Sequence, residues 1–273
     1  MDYYIGIDIG GSYTRAGLVQ DNKIIYKTQQ TTPKSWMGGV MIRTIFALIK
    51  DIFKQNNLET KHIKGIGVGV AGLVLSDKGI ILSAVNIGTA NLDIAKYIHS
   101  MYGYGIRVEV CNDVSCFALA QSRTSGIDNL VYLAIGTGIN VGVINKGKLF
   151  TGADGATIEY GHTFFSPTEE PCTCGLDGCV EQFISGKACT DPKDTVAPLS
   201  TLLVNIANTY RPEKIFIGGG FGLNLGPYIK ELNKELKKRN YGYKNAPPVR
   251  VEMSNIPTTG GILGAALLCS EED

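Results

Sequence analysis

The sequence predicts a duplicated α/β fold, two lobes with a cleft between them. Three observations carry this. Tyr4 to Ile9 is an apolar, strand-like run that ends in Gly10-Gly11-Ser12, and Leu130 to Ile135 is a second such run that ends in Gly136-Thr137-Gly138. Each is followed by a returning strand, so one supersecondary unit occurs twice. Elsewhere, strand-like runs alternate with runs of helical period, the pattern of α/β architecture.

The elements follow in order. Tyr3 to Ile9, Thr14 to Gln20 and Lys23 to Thr31 form an antiparallel meander with turns at Gly10-Gly11-Ser12 and Asp21-Asn22. Ser35 to Asn56 spaces Val40, Ile42, Ile45, Leu48, Ile49, Ile52 and Phe53 as one face of a long amphipathic helix. A strand is expected at Ile63 to Val70, a helix at Asp93 to Met101, a strand at Ile106 to Cys111 and a helix from Ser115 to Arg123. In the second copy, Asn140 to Asn145 and Lys148 to Phe150 make a hairpin around Lys146-Gly147. A helix at Ala197 to Tyr210, a strand at Lys214 to Ile217, a helix at Pro227 to Lys238, a strand at Val249 to Val251 and a helix at Gly260 to Leu268 complete the chain. The expected division is 1–114 for the N-terminal lobe, 115–259 for the C-terminal lobe, and 260–273 for a helix packing back on the first.

Composition excludes several classes. The 273 residues, 44% hydrophobic and 19% charged, are ordinary for a globular chain. A net charge of +1 provides no overall field for nucleic acid. The start Met1-Asp2-Tyr3-Tyr4 carries no basic region before an apolar stretch, and no apolar run approaches the roughly 18 residues of a membrane span. A soluble, cytoplasmic protein is expected. Of the 7 cysteines, Cys111, Cys116, Cys189 and Cys269 are scattered, as reduced core thiols are.

The remaining three carry the sharpest chemical signal. Cys172, Cys174 and Cys179 form a C-x-C-x4-C cluster with His162 upstream, and three thiolates with one imidazole complete a tetrahedral zinc site with no open position. That makes the ion structural. The second signal is the pair of glycine turns: glycine lets the backbone approach an anion, N–H groups and the hydroxyls of Ser12 and Thr137 donate to phosphate, and Asp8 is placed to hold magnesium or its waters. No G-x-x-x-x-G-K-[ST] or dinucleotide fingerprint is present, which excludes P-loop and dinucleotide chemistry. Gly218-Gly219-Gly220, after a strand, offers a third close-approach surface, suited to a flat adenine or ribose. Asn112-Asp113 stands where a strand ends and a helix begins; Asp113 reads either as a helix cap or as a general base at the carboxyl end of a strand. Glu159 lies three residues before His162 and Glu181 two after Cys179, so one metal knot holds both carboxylates, which read as acceptors for sugar hydroxyls.

These motifs resemble those of the ROK family (repressor, open reading frame, kinase). Asp8-Ile9-Gly10-Gly11-Ser12 resembles its first phosphate motif, which usually ends in Thr, and Gly136-Thr137-Gly138 its second. Asn112-Asp113 resembles its catalytic pair. Glu159-Tyr160-Gly161-His162 with the segment Cys172 to Glu181 resembles its zinc and sugar signature closely. The match runs in order from Tyr4 to about Leu267. The resemblance implies an actin-like, duplicated ribonuclease-H-like fold and ATP-dependent phosphorylation of a hexose hydroxyl, the 6-OH, in the manner of a hexokinase. Asp113 would be the base. Gly72, Asn86, Asn112, Glu159, His162 and Glu181 would bind sugar; Asp8, Gly10, Gly11, Ser12, Gly136, Thr137, Gly138, Gly219 and Gly220 would bind nucleotide. Magnesium would bridge the phosphates, and His162, Cys172, Cys174 and Cys179 would hold zinc. The expected partners are a sugar and ATP, without nucleic acid or membrane, and a homodimer stays open. A glucokinase and an allose kinase both remain in view, the latter because Leu75 to Ile81 resembles that of allose kinases. A repressor is not expected, because the first phosphate motif begins at Asp8.

Three departures stand out. Ile158 occupies a place where Gly is common, with a reshaped pocket or local backbone as the expected result. Asn140 replaces a frequent Gly, which bears on the second phosphate turn. Gly186 to Val196 is shorter than usual, so a reduced nucleotide cap or dimer surface is expected. The first two keep a rival in play, a non-catalytic sensor of sugar or nucleotide.

Overall fold

The second hairpin of each copy turns through a left-handed pair, Asp21 (φ 49°) with Asn22 (φ 60°) and Lys146 (φ 53°) with Gly147 (φ 76°), the two-residue turn whose twist matches that of its strands. The computed structural model describes residues 2–34, 38–239, 241 and 247–270. In chain order its regular elements begin with β1 (Tyr3–Ile9), β2 (Tyr13–Gln20), β3 (Lys23–Thr31), α1 (Gly38–Asn56) and β4 (Ile63–Val70). Next come β5 (Leu73–Leu75), β6 (Ile80–Ala84), β7 (Thr89–Asp93), α2 (Ile94–Tyr102), β8 (Arg107–Asn112) and α3 (Asp113–Ser125). The second copy has β9 (Leu130–Ile135), β10 (Ile139–Asn145), β11 (Lys148–Leu149), α4 (Pro192–Tyr210), β12 (Lys214–Gly218), α5 (Ile229–Arg239), β13 (Arg250–Met253) and α6 (Gly260–Ser270). Ser35 to Met37, where the first helix was expected to begin, lie outside the described residues.

The duplication is explicit in the sheets. One runs β3-β2-β1-β4-β8 and the other β11-β10-β9-β12-β13, each a meander of three antiparallel strands continued by two parallel ones. The chain forms two compact units, Met1–Ala120 with Thr151–Thr157 and Ile256–Asp273, and Gln121–Phe150 with Ile158–Asn255. Neither is contiguous in sequence.

The first unit packs Ile5, Ile7 and Ile9 of β1 against Ile45, Leu48, Ile49 and Ile52 of α1, all fully buried. Each such side chain contributes about 1.5 to 3 kcal/mol relative to exposure. On the other face lies α6, apolar along its length. Gly6 and Gly67 make this possible, because an added Cβ would run into the carbonyls of Ile262 and Ala265. The second unit packs Val131, Leu133 and Ile135 of β9 against Leu199, Leu202, Leu203 and Ile206 of α4, with Leu232 and Leu236 of α5.

Two differences from the sequence reading have physical causes. Helix α4 starts at Pro192 instead of Ala197: Asp191 caps it by accepting the Lys193 N–H at 2.9 Å, and Pro192 sits at N1, where its missing donor costs nothing. The small sheet β5-β6-β7 was not expected at all. Its strands are three to five residues long and β7, Thr-Ala-Asn-Leu-Asp, lacks an alternating apolar face.

Candidate functional site

The first unit gathers one set of predicted residues at the carboxyl ends of β1, β4 and β8. β1 delivers Asp8, 4% exposed, with Arg15 of β2 at 3.4 Å from its Oδ2. Gly261, near the start of α6, lies against it, since an added Cβ would come within 2.7 Å of the Asp8 carboxyl carbon. Burial pushes the Asp8 carboxyl up to about 7; the Asp113 charge adds to the rise and Arg15 opposes it. After Asp8 comes the Gly10-Gly11-Ser12 turn, which leaves Ser12 exposed.

Sequence reasoning missed the residue that holds this turn. Thr32, 3% exposed, donates its hydroxyl to the Gly10 carbonyl at 2.7 Å and its N–H to Ser12 O at 3.0 Å, and Thr14 lies 3.0 Å from the same hydroxyl. Since Thr32 spends its one hydroxyl proton on Gly10, Thr14 is the donor to Thr32. Thr32→Val is expected to cost about 1 to 3 kcal/mol of stability, because both partners are left unpaired, and urea unfolding measures it. Nothing in the sequence distinguishes Thr32 from other polar residues at a strand end.

Asn112 takes the helix-capping role that the sequence offered to Asp113. Asn112, 4% exposed, accepts the Val114 N–H at 2.9 Å and donates to the Gly72 carbonyl at 3.0 Å, so it caps α3 and fastens the β4–β5 corner. Asp113 is the first residue of α3 and half-buried, its Oδ1 3.0 Å from the same Val114 N–H. Burial pushes its carboxyl up to about 6, against the Val114 and Asp113 N–H groups, which favour the charged form. Gly72 is packed on β6, with Ser83 O 2.5 Å from where a Cβ would stand, and the exposed Asn86 flanks Gly11, its Cβ 3.9 Å from a Cβ added there. The small sheet thus sets two of the three predicted sugar residues of this unit, Gly72 and Asn86.

The second unit gathers the rest. In the turn between β9 and β10, Gly136 donates to Gly138 O at 2.8 Å and Thr137 is exposed, as Ser12 is in the first copy. Gly186, another residue the sequence did not single out, donates to Gly136 O at 2.8 Å. Gly219 (φ +83°) packs on Ile135 at the end of β9, 2.5 Å from its oxygen to an added Cβ, while Gly220 has open space around it. The carboxylate of Glu181 lies on this turn: Oε2 accepts the Ile139 N–H at 3.3 Å and touches the space a Gly138 Cβ would fill. Glu159 precedes a single 3-10 turn, Tyr160–His162, whose closing His162 N–H returns to Glu159 O at 3.1 Å. Ile158 packs its side chain against the second unit's core.

His162, Cys172, Cys174 and Cys179 come together as predicted, with their donor atoms all within 4.8 Å of one another. A tetrahedral zinc ion with Zn–S about 2.3 Å and Zn–N about 2.0 Å holds its donors about 3.5 to 3.8 Å apart. Cys172 Sγ lies 3.6 Å from His162 Nδ1 and Cys174 Sγ 3.6 Å from Cys179 Sγ, so the set fits the ion. Gly175 (φ +91°) and Gly178 (φ +74°) supply the left-handed turns that curl the loop back.

This arrangement has clear relatives. The model of the ROK family matches residues 4–194 and 193–272. The chain is 25% identical over 316 aligned positions to the N-acetyl-D-glucosamine kinase of Yersinia pseudotuberculosis, covering 97% of this chain and 98% of that one. It is 29% identical over 190 positions to the xylose repressor of Caldicellulosiruptor bescii, covering 67% of this chain and 47% of the repressor. A ROK family glucokinase from Streptomyces griseus, solved with glucose and AMPPNP, superposes with a TM-score of 0.80 at 23% identity, covering 97% of this chain and 98% of that one. Its actin-like α/β fold is the one found here. With the family model matched along nearly its whole length, this chain belongs to the ROK family.

Proposed function

We propose that the protein is an ATP-dependent sugar kinase that phosphorylates a hexose hydroxyl, the 6-OH, with Asp113 as general base. The observation that carries the reading is Asp113 itself, a half-buried carboxylate at the start of α3 held near pKa 6, neighbour to a second buried carboxylate, Asp8, next to a glycine turn. A base in that range accepts a proton from an attacking alcohol at neutral pH, as one of full acidity does poorly.

In this reading the sugar hydroxyl gives its proton to a carboxylate oxygen of Asp113 as its own oxygen bonds to the γ-phosphorus. The bond from phosphorus to the bridging oxygen breaks and ADP leaves with that electron pair. Glu159, Glu181, His162, Asn112, Asn86 and Gly72 orient the sugar, and positioning supplies much of the rate. The two glycine turns donate N–H groups to the phosphates, with Ser12 and Thr137 adding hydroxyls; Gly219 and Gly220 face the nucleoside. Magnesium, when bound, neutralises phosphate charge, and Asp8 is the residue that would hold it or its waters. Zinc at the Cys3His cluster is structural. The sensor alternative rests on Ile158, packed on the second unit's core, and Asn140, bonded to Glu159 and Tyr160, and turnover with any sugar decides against it.

Two results test this. In ³¹P and ¹H NMR of a reaction with ATP, magnesium and glucose, mannose or N-acetylglucosamine, a new phosphomonoester coupled to the C6 protons is expected with at least one sugar. Coupling elsewhere contradicts the 6-OH assignment. The second is a pH profile. Asp113 must be ionised to act, so with saturating magnesium, which keeps Asp8 ionised, kcat/KM is expected to be level above the Asp113 value of about 6 and to fall toward tenfold per unit below it. A profile flat down to pH 4.5 would remove Asp113 as the base.

A further inference from the structure

Asn140 does more than a residue in a strand requires. It is the second residue of β10, where β9 pairs on one side, and β11 joins the other side only from Ile144 onward. Its side chain covers that open edge: Oδ1 accepts the Val141 N–H at 2.9 Å and the Tyr160 N–H at 3.0 Å. Its amide nitrogen donates to Oε2 of Glu159 at 3.2 Å. The backbone there is not left-handed, so no turn demands an asparagine.

These contacts separate two jobs. Holding the two N–H groups needs only an acceptor, and an aspartate would serve as well. The donor end has a different target, a carboxylate three residues before a zinc ligand. We infer that Asn140 is a positioning residue for sugar recognition, fixing the direction of the Glu159 carboxylate before the sugar arrives. The inference rests on the reading of Glu159 as a sugar ligand. The Asn140 donor restricts rotation of the Glu159 carboxylate about its side-chain bonds, and the part of that freedom already lost before the sugar arrives is not lost again on binding. Asn140 acts equally on ground state and transition state, so its effect belongs in KM and not in kcat.

Comparison of Asn140→Asp with Asn140→Ala tests this. Asn140→Asp keeps the acceptor for both N–H groups but sets a second carboxylate oxygen toward Glu159; Asn140→Ala loses all three contacts. The expected result is a sugar KM raised about tenfold or more in Asn140→Asp, with kcat and the KM for ATP within about threefold. Calorimetric titration with the preferred hexose should show the same loss in Kd. Asn140→Ala is expected to be less stable than Asn140→Asp but no worse in sugar affinity. Asn140→Asp with wild-type affinity, or stability and all kinetic constants falling together in both variants, would show an edge-filling role alone and overturn the inference. A wild-type protein that binds hexose without turning it over would overturn the kinase reading and leave the titration to decide on Asn140. One that does neither overturns both.

Discussion

Asp113→Asn is expected to lower kcat by roughly a thousandfold or more while sugar affinity stays within about tenfold. The amide preserves the shape of the side chain and can still accept the Val114 N–H that now reaches Oδ1 at 3.0 Å, so the start of α3 keeps its geometry. What is lost is the place for the proton. Asn112 cannot take over, because its side chain already joins the Val114 N–H to the Gly72 carbonyl and an amide does not titrate. Asp8 cannot either in this account, since its carboxylate is the one that would hold magnesium or its waters. Steady-state kinetics beside calorimetric sugar titration separate the outcomes: equal loss of turnover and binding would mean that Asp113 is structural.

Cys172→Ser is expected to abolish zinc binding and lower the melting temperature by on the order of 10 °C, because metal affinity is folding energy in a loop of this kind. Cys172 is 6% and Cys179 1% exposed, and the loop between them is tied by the Cys172 N–H to Leu176 O at 2.7 Å and by an antiparallel bridge between Phe164 and Cys179. In the variant two thiols, a hydroxyl and an imidazole remain crowded with no ion to join them. Sugar KM should rise with zinc loss, since Glu159 and Glu181 each lie next to the knot, and metal analysis of the purified variant checks the order of events. A fully active, zinc-free variant would refute the coupling.

Most of the frame was legible because it follows from patterns the chain repeats. The strand running into Gly10-Gly11-Ser12 and its counterpart before Gly136-Thr137-Gly138 announced two copies, and the two sheets share one strand order. The Cys3His cluster was legible because soft ligands at that spacing have few other uses. What escaped was everything set by contacts across the sequence. Thr32 braces a turn some twenty residues away, and Gly186 reaches Gly136 across fifty; neither has a local signature. In the sequence Asn140 stands out only as a departure near a phosphate turn, whereas its side chain reaches Tyr160 and Glu159. The sheet β5-β6-β7 was missed because its strands are too short for periodicity, yet it carries Gly72 and Asn86 to their places.

The most direct measurement of the central claim is ADP release from ATP and magnesium across a panel of hexoses and hexosamines, with Asp113→Asn as the blank. The account predicts release that depends on at least one sugar and vanishes in the variant. Release that no sugar stimulates, or that Asp113→Asn retains, would contradict it.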